Sequence, residues 1–449
     1  MSPAVKLDTA VVGMGRTGCS VARFLMRQDI SCEGFDEQAV NLPEDIDMPL
    51  HVGKLESAGL AEYARIVVSP GVPWQHPALR QARQTGVPVV GDLDLFIEAF
   101  RGELLAVTGT NGKTTTVSLI GTMLETLPGG VETGGNIGTP MLDLLDGLHK
   151  PERAALELSS FQLERCRQRF HPHWAALLNV QPDHVDMHVD PTQYEAAKLR
   201  IFEDQGEGDT AVLPVESRWD ETAGTLQKRG VRVRRFGTVE EADAGLLHQD
   251  GASYLFWHQG ERRHSVDVGE LLVCGAHQFL NLAVAAQAAA DFGVSVGVIH
   301  EALTSFRGLP HRLQLVGQKA GHRWFDDSKA TNPSSAAAAL AAFDRALWIC
   351  GGLPKGVDLA PLVEVVRRHV AHAFVIGKNP KPYVDLLKRA GVPYSVVGNI
   401  TRAVVAAASH TEAEPVLLAP AAASQDQFRD YAERGGRFID AVASLEKAA

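Results

Sequence analysis

Residues 104–114 read Leu-Leu-Ala-Val-Thr-Gly-Thr-Asn-Gly-Lys-Thr, and this stretch decides the fold. Leu104–Val107 is a short unbroken apolar run, as expected of a strand buried on both faces. Thr108-Gly109-Thr110-Asn111-Gly112-Lys113-Thr114 follows, and an amphipathic helical pattern then runs through Leu127. Strand, glycine turn and helix in that order predict a βα unit whose backbone amides gather at a helix N-terminus. The early glycine of a full phosphate-loop motif would fall at Val107, so the match is partial. The working parts are present: N–H groups to wrap phosphates, the Lys113 ammonium to neutralise them, and the Thr114 hydroxyl to reach Mg2+.

Upstream, a second βα unit opens the chain. The strand Thr9–Gly13 leads into Gly13-Met14-Gly15-Arg16-Thr17-Gly18, then a helical pattern from Cys19 to Arg27, then a strand Ser31–Phe35 that ends at Asp36. A G-x-G-x-x-G turn in this context permits a tight bend and close backbone approach, and the helix end favours a phosphate. Asp36 can accept from a ribose or another sugar-like hydroxyl pair. A nucleotide-like diphosphate, a nicotinamide cofactor and a mere tight turn are the three readings.

Downstream, Ala155–Leu158 and Ala175–Val180 read as strands. A further alternating series follows: Arg323–Asp326 (strand), Pro333–Phe343 (helix), Ala346–Cys350, Ala373–Ile376 and Val416–Leu418 (strands). Such alternation predicts α/β layers with mostly parallel sheets. Seams are expected near Gly91–Asp92 and near Gly308–Leu309–Pro310, dividing the chain into domains 1–92, 93–308 and 309–449.

At 449 residues, three domains are also what length suggests. A hydrophobic share of 45% can fill several cores, which argues against disorder. The net charge of −11 disfavours general nucleic-acid binding, so no nucleic-acid partner is expected. There is no apolar run long enough to span a bilayer, so no membrane partner is expected either. The five cysteines form no C-x-x-C pair, which speaks against a disulfide framework or a structural zinc site and fits a reducing cytoplasm.

Three residues are candidates for a metal site. Glu157 follows a buried-strand pattern, where a carboxylate needs a partner. His184 lies just past another strand, and Lys198 lies in the helical stretch Tyr194–Phe202. Taken singly, each is an ordinary structural residue, Lys198 a surface lysine paired with Glu195 or Glu203. Strand order, however, brings strand C-terminal ends to the phosphate loop, where Mg2+ ligands belong.

With Thr108–Thr114, Gly134–Gly138 (GGNIG), Glu157–Glu164 (ELSSFQLE), Leu309–Arg312 (LPHR) and Asp327–Asn332 (DSKATN) in hand, the chain resembles the Mur ligase family over essentially its whole length. The resemblance implies a Rossmann-like UDP-binding domain, a central P-loop-type ATPase and a C-terminal Rossmann-like, glutamate-binding domain. It further implies ligation of D-glutamate to UDP-N-acetylmuramoyl-L-alanine by a cytoplasmic monomer, with ATP and two Mg2+ ions. L-glutamate or another amino acid is the alternative, and a nicotinamide-dependent dehydrogenase is the distant one. Arg16, Thr17, Asp36, Gly71, Asn136 and His184 would contact the UDP-substrate. Gly109, Thr110, Asn111, Gly112, Lys113, Thr114 and Thr115 would hold ATP phosphates, with Asn281 on adenine, Arg312 on the γ-phosphate and Asp327 on ribose. Thr114, Glu157, His184 and Lys198, the last as its carbamate, match the metal sites. Lys329 would lie near the reacting centre with Lys113, His184 and Lys198. Thr331, Lys355, Ser424 and Tyr431 would hold glutamate, with Ser424 expected near the start of a helix. The chain departs from the family pattern at Gly351-Gly352-Leu353-Pro354-Lys355, which lacks the usual acidic residue, at Ala419–Ser424, which lacks a cysteine, and at Gln278 in place of asparagine.

Overall fold

The computed structural model describes residues 7–136, 138–147, 151–181, 191–353, 358–411 and 414–447. The chain forms two compact units. One holds the described residues up to Val180, those from 191 to Ala244, and Val284–Val296; the other holds Gly245–Ala283 and Gly297 onward.

The first unit contains two parallel sheets. Strands β1 (Leu7–Val12), β2 (Cys32–Asp36), β3 (Leu50–Val52), β4 (Tyr63–Val68) and β5 (Val89–Val90) lie in the order β3-β2-β1-β4-β5. The order reverses between β1 and β4, and the crevice beyond their C-terminal ends is where such sheets bind ligands. Ala10, Val11, Val12, Ile66 and Val67 have no solvent exposure, as strands covered on both faces require.

The second sheet uses β6 (Glu103–Thr108), β7 (Glu132–Gly135), β8 (Arg153–Glu157), β9 (Trp174–Leu177), β10 (Thr210–Pro214) and β11 (Arg232–Gly237), in the order β11-β10-β9-β6-β8-β7. Here β6 is the switch strand, so the loop after it opens between the ends of β8 and β9. The helix after that loop spans Lys113–Leu124 and stops three residues short of Leu127. Pro128 removes a donor, and Gly129 and Gly130 take φ of 76° and 58°.

In the second unit, β12 (Ala244–Gln249, from its second residue), β13 (Ala252–Gln259) and β14 (Arg262–Asp267) are consecutive neighbours in sheet order, antiparallel between β13 and β14. The remaining sheet has the order β15-β16-β20-β17-β18-β19, built from β15 (Gln314–Lys319), β16 (His322–Asp326), β17 (Ala346–Gly351), β18 (Val370–Ile376), β19 (Tyr394–Gly398) and β20 (Val416–Leu418). All its pairings are parallel except β15 with β16. The α/β reading therefore holds in all three sheets, with antiparallel additions at β13–β14 and β15.

Candidate active site

The first sheet carries a cavity of about 480 Å3 at its switch point. Arg16, Thr17, Asp36, Gly71 and Asn136 all line it, together with Gly13, Gly15 and Ser69–Pro73. Gly13 has φ +88°, and a Cβ there would come within 2.6 Å of Val72 Cγ2. A Cβ on Gly18 would strike the Gly13 carbonyl oxygen at 2.1 Å, so both glycines are needed to close the turn. Gly15 caps the helix Arg16–Arg27 without a side chain, leaving its first amides open. The two Asp36 oxygens accept from the Met14 N–H (2.7 Å) and the Gln38 N–H (2.9 Å), fastening the turn to the end of β2. Each oxygen keeps a further lone pair for a ligand hydroxyl.

The loop after β6 is built around one carbonyl. Lys113 Nζ donates to Gly109 O at 2.7 Å and to Thr110 O at 3.0 Å. Lys198 Nζ donates to the same Gly109 O at 2.9 Å, lies 4.5 Å from the Tyr194 ring centroid, and is only 1% exposed. Lys198 is thus no surface lysine: Glu195 pairs with Arg218, and Glu203 with Arg200. Asn179, just past β9, holds the loop by accepting from Asn111 N–H (2.9 Å) and donating to Asn111 O (3.0 Å). At the end of β8, the buried Glu157 accepts from Thr114 Oγ1 at 2.6 Å and from Asn136 Nδ2 at 3.2 Å. Both donors are neutral, so this carboxylate is hydrogen-bonded but not charge-compensated by them, which suits a cation ligand.

In the second unit, Leu313 N–H donates to Asp327 Oδ1 (3.1 Å) and Gln278 Nε2 donates to Arg312 O (3.4 Å), which ties Arg312 and Asp327 to the helix carrying Asn281. Burial pushes the Asp327 carboxyl up to about 7, against the pull of the Leu313 amide and Arg312. Lys329 Nζ sits 4.0 Å above the Tyr431 ring. Arg434, 1% exposed, binds Ser328 Oγ (2.9 Å), Ser328 O (2.7 Å) and Ala422 O (3.0 Å), clamping the segment of Lys329 against that of Ser424. Ser424 is buried, but it starts no helix: its carbonyl closes a turn with Gln427 N–H and Phe428 N–H, and the helix begins at Tyr431. Asp430 caps that helix, accepting from Glu433 N–H.

Thr331 stands beside Lys329, its N–H on the Lys329 carbonyl at 2.8 Å. His184 and Lys355 lie outside the described residues. Asn179, Tyr194, Arg165, Arg434 and the His311–Asp326 pair are further residues of these sites that no sequence motif singles out. His311 Nδ1 lies 2.6 Å from the fully buried Asp326, and a Cβ on Gly435 would meet that imidazole at 2.1 Å. His311 falls within the LPHR motif; nothing in its spacing points to Asp326, fifteen residues on.

The chain is similar to known proteins over nearly its whole length. Residues 7–91 match the Mur ligase MurD-like N-terminal domain, 107–289 the Mur ligase middle domain and 311–422 the Mur ligase glutamate ligase domain. The UDP-N-acetylmuramoylalanine–D-glutamate ligase of Geobacter metallireducens is 37% identical over 443 residues, covering 97% of each chain. That of Methylococcus capsulatus is 37% identical over 98% of this chain and 95% of its own. Among solved structures, the Thermotoga maritima UDP-N-acetylmuramate–alanine ligase MurC aligns with a TM-score of 0.61 at 19% identity, over 97% of this chain and 99% of that one. The MurF ligase of the same organism, in complex with ADP, gives 0.62 at 19% identity, over 99% and 96%. These two show the fold.

Proposed function

The chain belongs to the Mur ligase family of ATP-dependent, amide-forming enzymes, and we propose that it joins D-glutamate to UDP-N-acetylmuramoyl-L-alanine in peptidoglycan precursor synthesis. One observation carries the reading. Asn136 lines the cavity of the first sheet and also bonds Glu157, whose other oxygen bonds Thr114 of the phosphate loop. A diphosphate-sugar held by the glycine turn would therefore extend toward the place where a γ-phosphate is handled.

A carboxylate does not acylate an amine at neutral pH, because its leaving group would be an oxide. Transfer of the γ-phosphoryl to the L-alanyl carboxylate makes an acyl phosphate, and the amine of glutamate then displaces phosphate. The loop amides and Lys113 hold the nucleotide phosphates, and Arg312 offsets charge on the γ-phosphate. Thr114, Glu157 and His184, with Lys198 as its carbamate, are the residues that would hold Mg2+, which when bound would supply charge neutralisation between the reacting anions. The hydrogen-bonded Glu157 carboxylate and the buried Lys198 amine fit that assignment. Asn281 and Asp327 are assigned to adenine and ribose, and Lys329, Thr331, Lys355, Ser424 and Tyr431 to glutamate and the reacting centre. Residues 1–92, 93–308 and 309–449 are read as the UDP-sugar, ATP and glutamate domains of a cytoplasmic monomer. Phosphate release measured with each substrate withheld in turn tests the reading; release must need all three.

A further inference from the structure

Arg165 closes the short helix Ser160–Arg165, which starts at its capping residue Ser159, two positions past Glu157. It is 2% exposed. Its Nη1 donates to Ser69 O at 3.0 Å and its Nη2 to Val72 O at 2.8 Å, across more than ninety residues of sequence. Its guanidinium also lies 5.5 Å from the Trp74 ring centroid and 5.7 Å from that of Phe161. Ser69, Pro70, Gly71 and Val72 are one wall of the first-sheet cavity. This wall is tied to the glycine turn, which also lines the cavity: Ser69 Oγ donates to Gly13 O at 2.6 Å.

Burying a guanidinium is costly, and here it bonds carbonyls, with no carboxylate among its hydrogen-bond partners in the described residues. An apolar side chain would fill this space with less loss of hydration. What the planar fork adds is geometry, because two rigidly related donors fix two carbonyls relative to each other. Since its helix runs directly from the strand of Glu157, the fork also fixes that wall relative to the phosphate-loop site.

We propose that Arg165 is a positioning residue for the UDP-substrate, holding the Ser69–Val72 wall at the spacing the nucleotide-sugar requires. This rests on the UDP reading above. The test uses the full chain with Arg165→Met, which keeps length without donors, and Arg165→Lys, which keeps the charge and a single donor nitrogen in place of the fork. Binding of UDP-N-acetylmuramoyl-L-alanine is measured by calorimetry, and KM for each substrate and kcat by phosphate release. For Arg165→Met, Kd and KM for the UDP-substrate should rise roughly tenfold, equivalent to ~1.4 kcal/mol. KM for ATP and kcat at saturation should stay within about twofold, and Arg165→Lys should fall between. Unchanged UDP-substrate affinity in a folded variant, even one with a lowered Tm, overturns the proposal. So does an equal loss in kcat and in KM for ATP. If Arg165→Met does not fold, the affinity of Arg165→Lys decides alone. A wild-type enzyme that binds ATP but no UDP-sugar overturns the substrate reading itself, and this proposal with it.

Discussion

Lys113 and Lys198 donate to the same acceptor, the backbone carbonyl of Gly109, at 2.7 and 2.9 Å. The two distances together bound the separation of their nitrogens at about 5.6 Å. As a bare pair, two ammonium groups this close repel each other by on the order of a few kcal/mol at a protein-like dielectric. Conversion of Lys198 to a carbamate by CO2 reverses one sign and turns the repulsion into attraction.

Lys198→Ala should therefore lose most activity, and a short carboxylic acid filling the vacated space should restore part of it. Near-normal turnover of Lys198→Ala would remove the carbamate from the account. Mass-balance labelling with 13CO2, read by the carbamate carbon resonance, checks the modification without an activity assay.

Lys113→Ala should lower kcat by at least about a hundredfold, the scale of removing one charge-stabilising donor. The variant's fold is checked by its melting curve, since the ammonium also bonds two carbonyls of its own loop. Unchanged phosphate release in a folded variant would separate this loop from the reaction.

Asp36→Ala should weaken UDP-sugar binding by roughly 1–3 kcal/mol. Part of that loss is indirect, because the Met14 and Gln38 amides lose their acceptor and the glycine turn loosens. Tight NADH binding with no UDP-sugar binding would contradict the ligand assignment.

Asp327 has its carboxyl raised to about 7 by burial. A carboxyl with a folded pKa above its unfolded one binds more protons in the native state, so its effect on stability becomes less favourable as pH rises through the acid range toward 7. Asp327→Asn should accordingly gain Tm relative to wild type at pH 8 and little at pH 4, measured by thermal melts. The ionised form is the better acceptor for ribose hydroxyls, so ATP affinity of the wild type should fall as pH drops below 7. A pH-independent difference in Tm would refute the assignment.

With D-glutamate, L-glutamate and aspartate compared at equal concentration, D-glutamate should be preferred. Preference for L-glutamate would show that the departure at Leu353-Pro354, or its neighbours, changes the amino-acid pocket.

The phosphate loop, the glycine turn and Glu157 were legible because each is a local pattern: an apolar run that ends in a turn whose residues must adopt a given backbone shape. The meeting of the phosphate loop with Glu157 followed from strand order, since β6 lies beside β8. The burial of Lys198 was not legible, because a lysine on a helix reads the same whether its nitrogen meets water or the Gly109 carbonyl. Arg165 and Arg434 escaped for a related reason: their partners are mostly backbone carbonyls, which carry no sequence signal. Strands β12–β14 were missed because stretches such as β14, Arg-Arg-His-Ser-Val-Asp, are mostly polar and show little apolar alternation.

The central claim is that the L-alanyl carboxylate is activated as an acyl phosphate, and oxygen transfer tests it most directly. The substrate is prepared with 18O in both oxygens of that carboxylate and turned over with ATP and D-glutamate. When the amine displaces phosphate, one carboxylate oxygen leaves with it. The account predicts one 18O atom in each phosphate released and one retained in the amide. Unlabelled phosphate formed in step with amide product would contradict it.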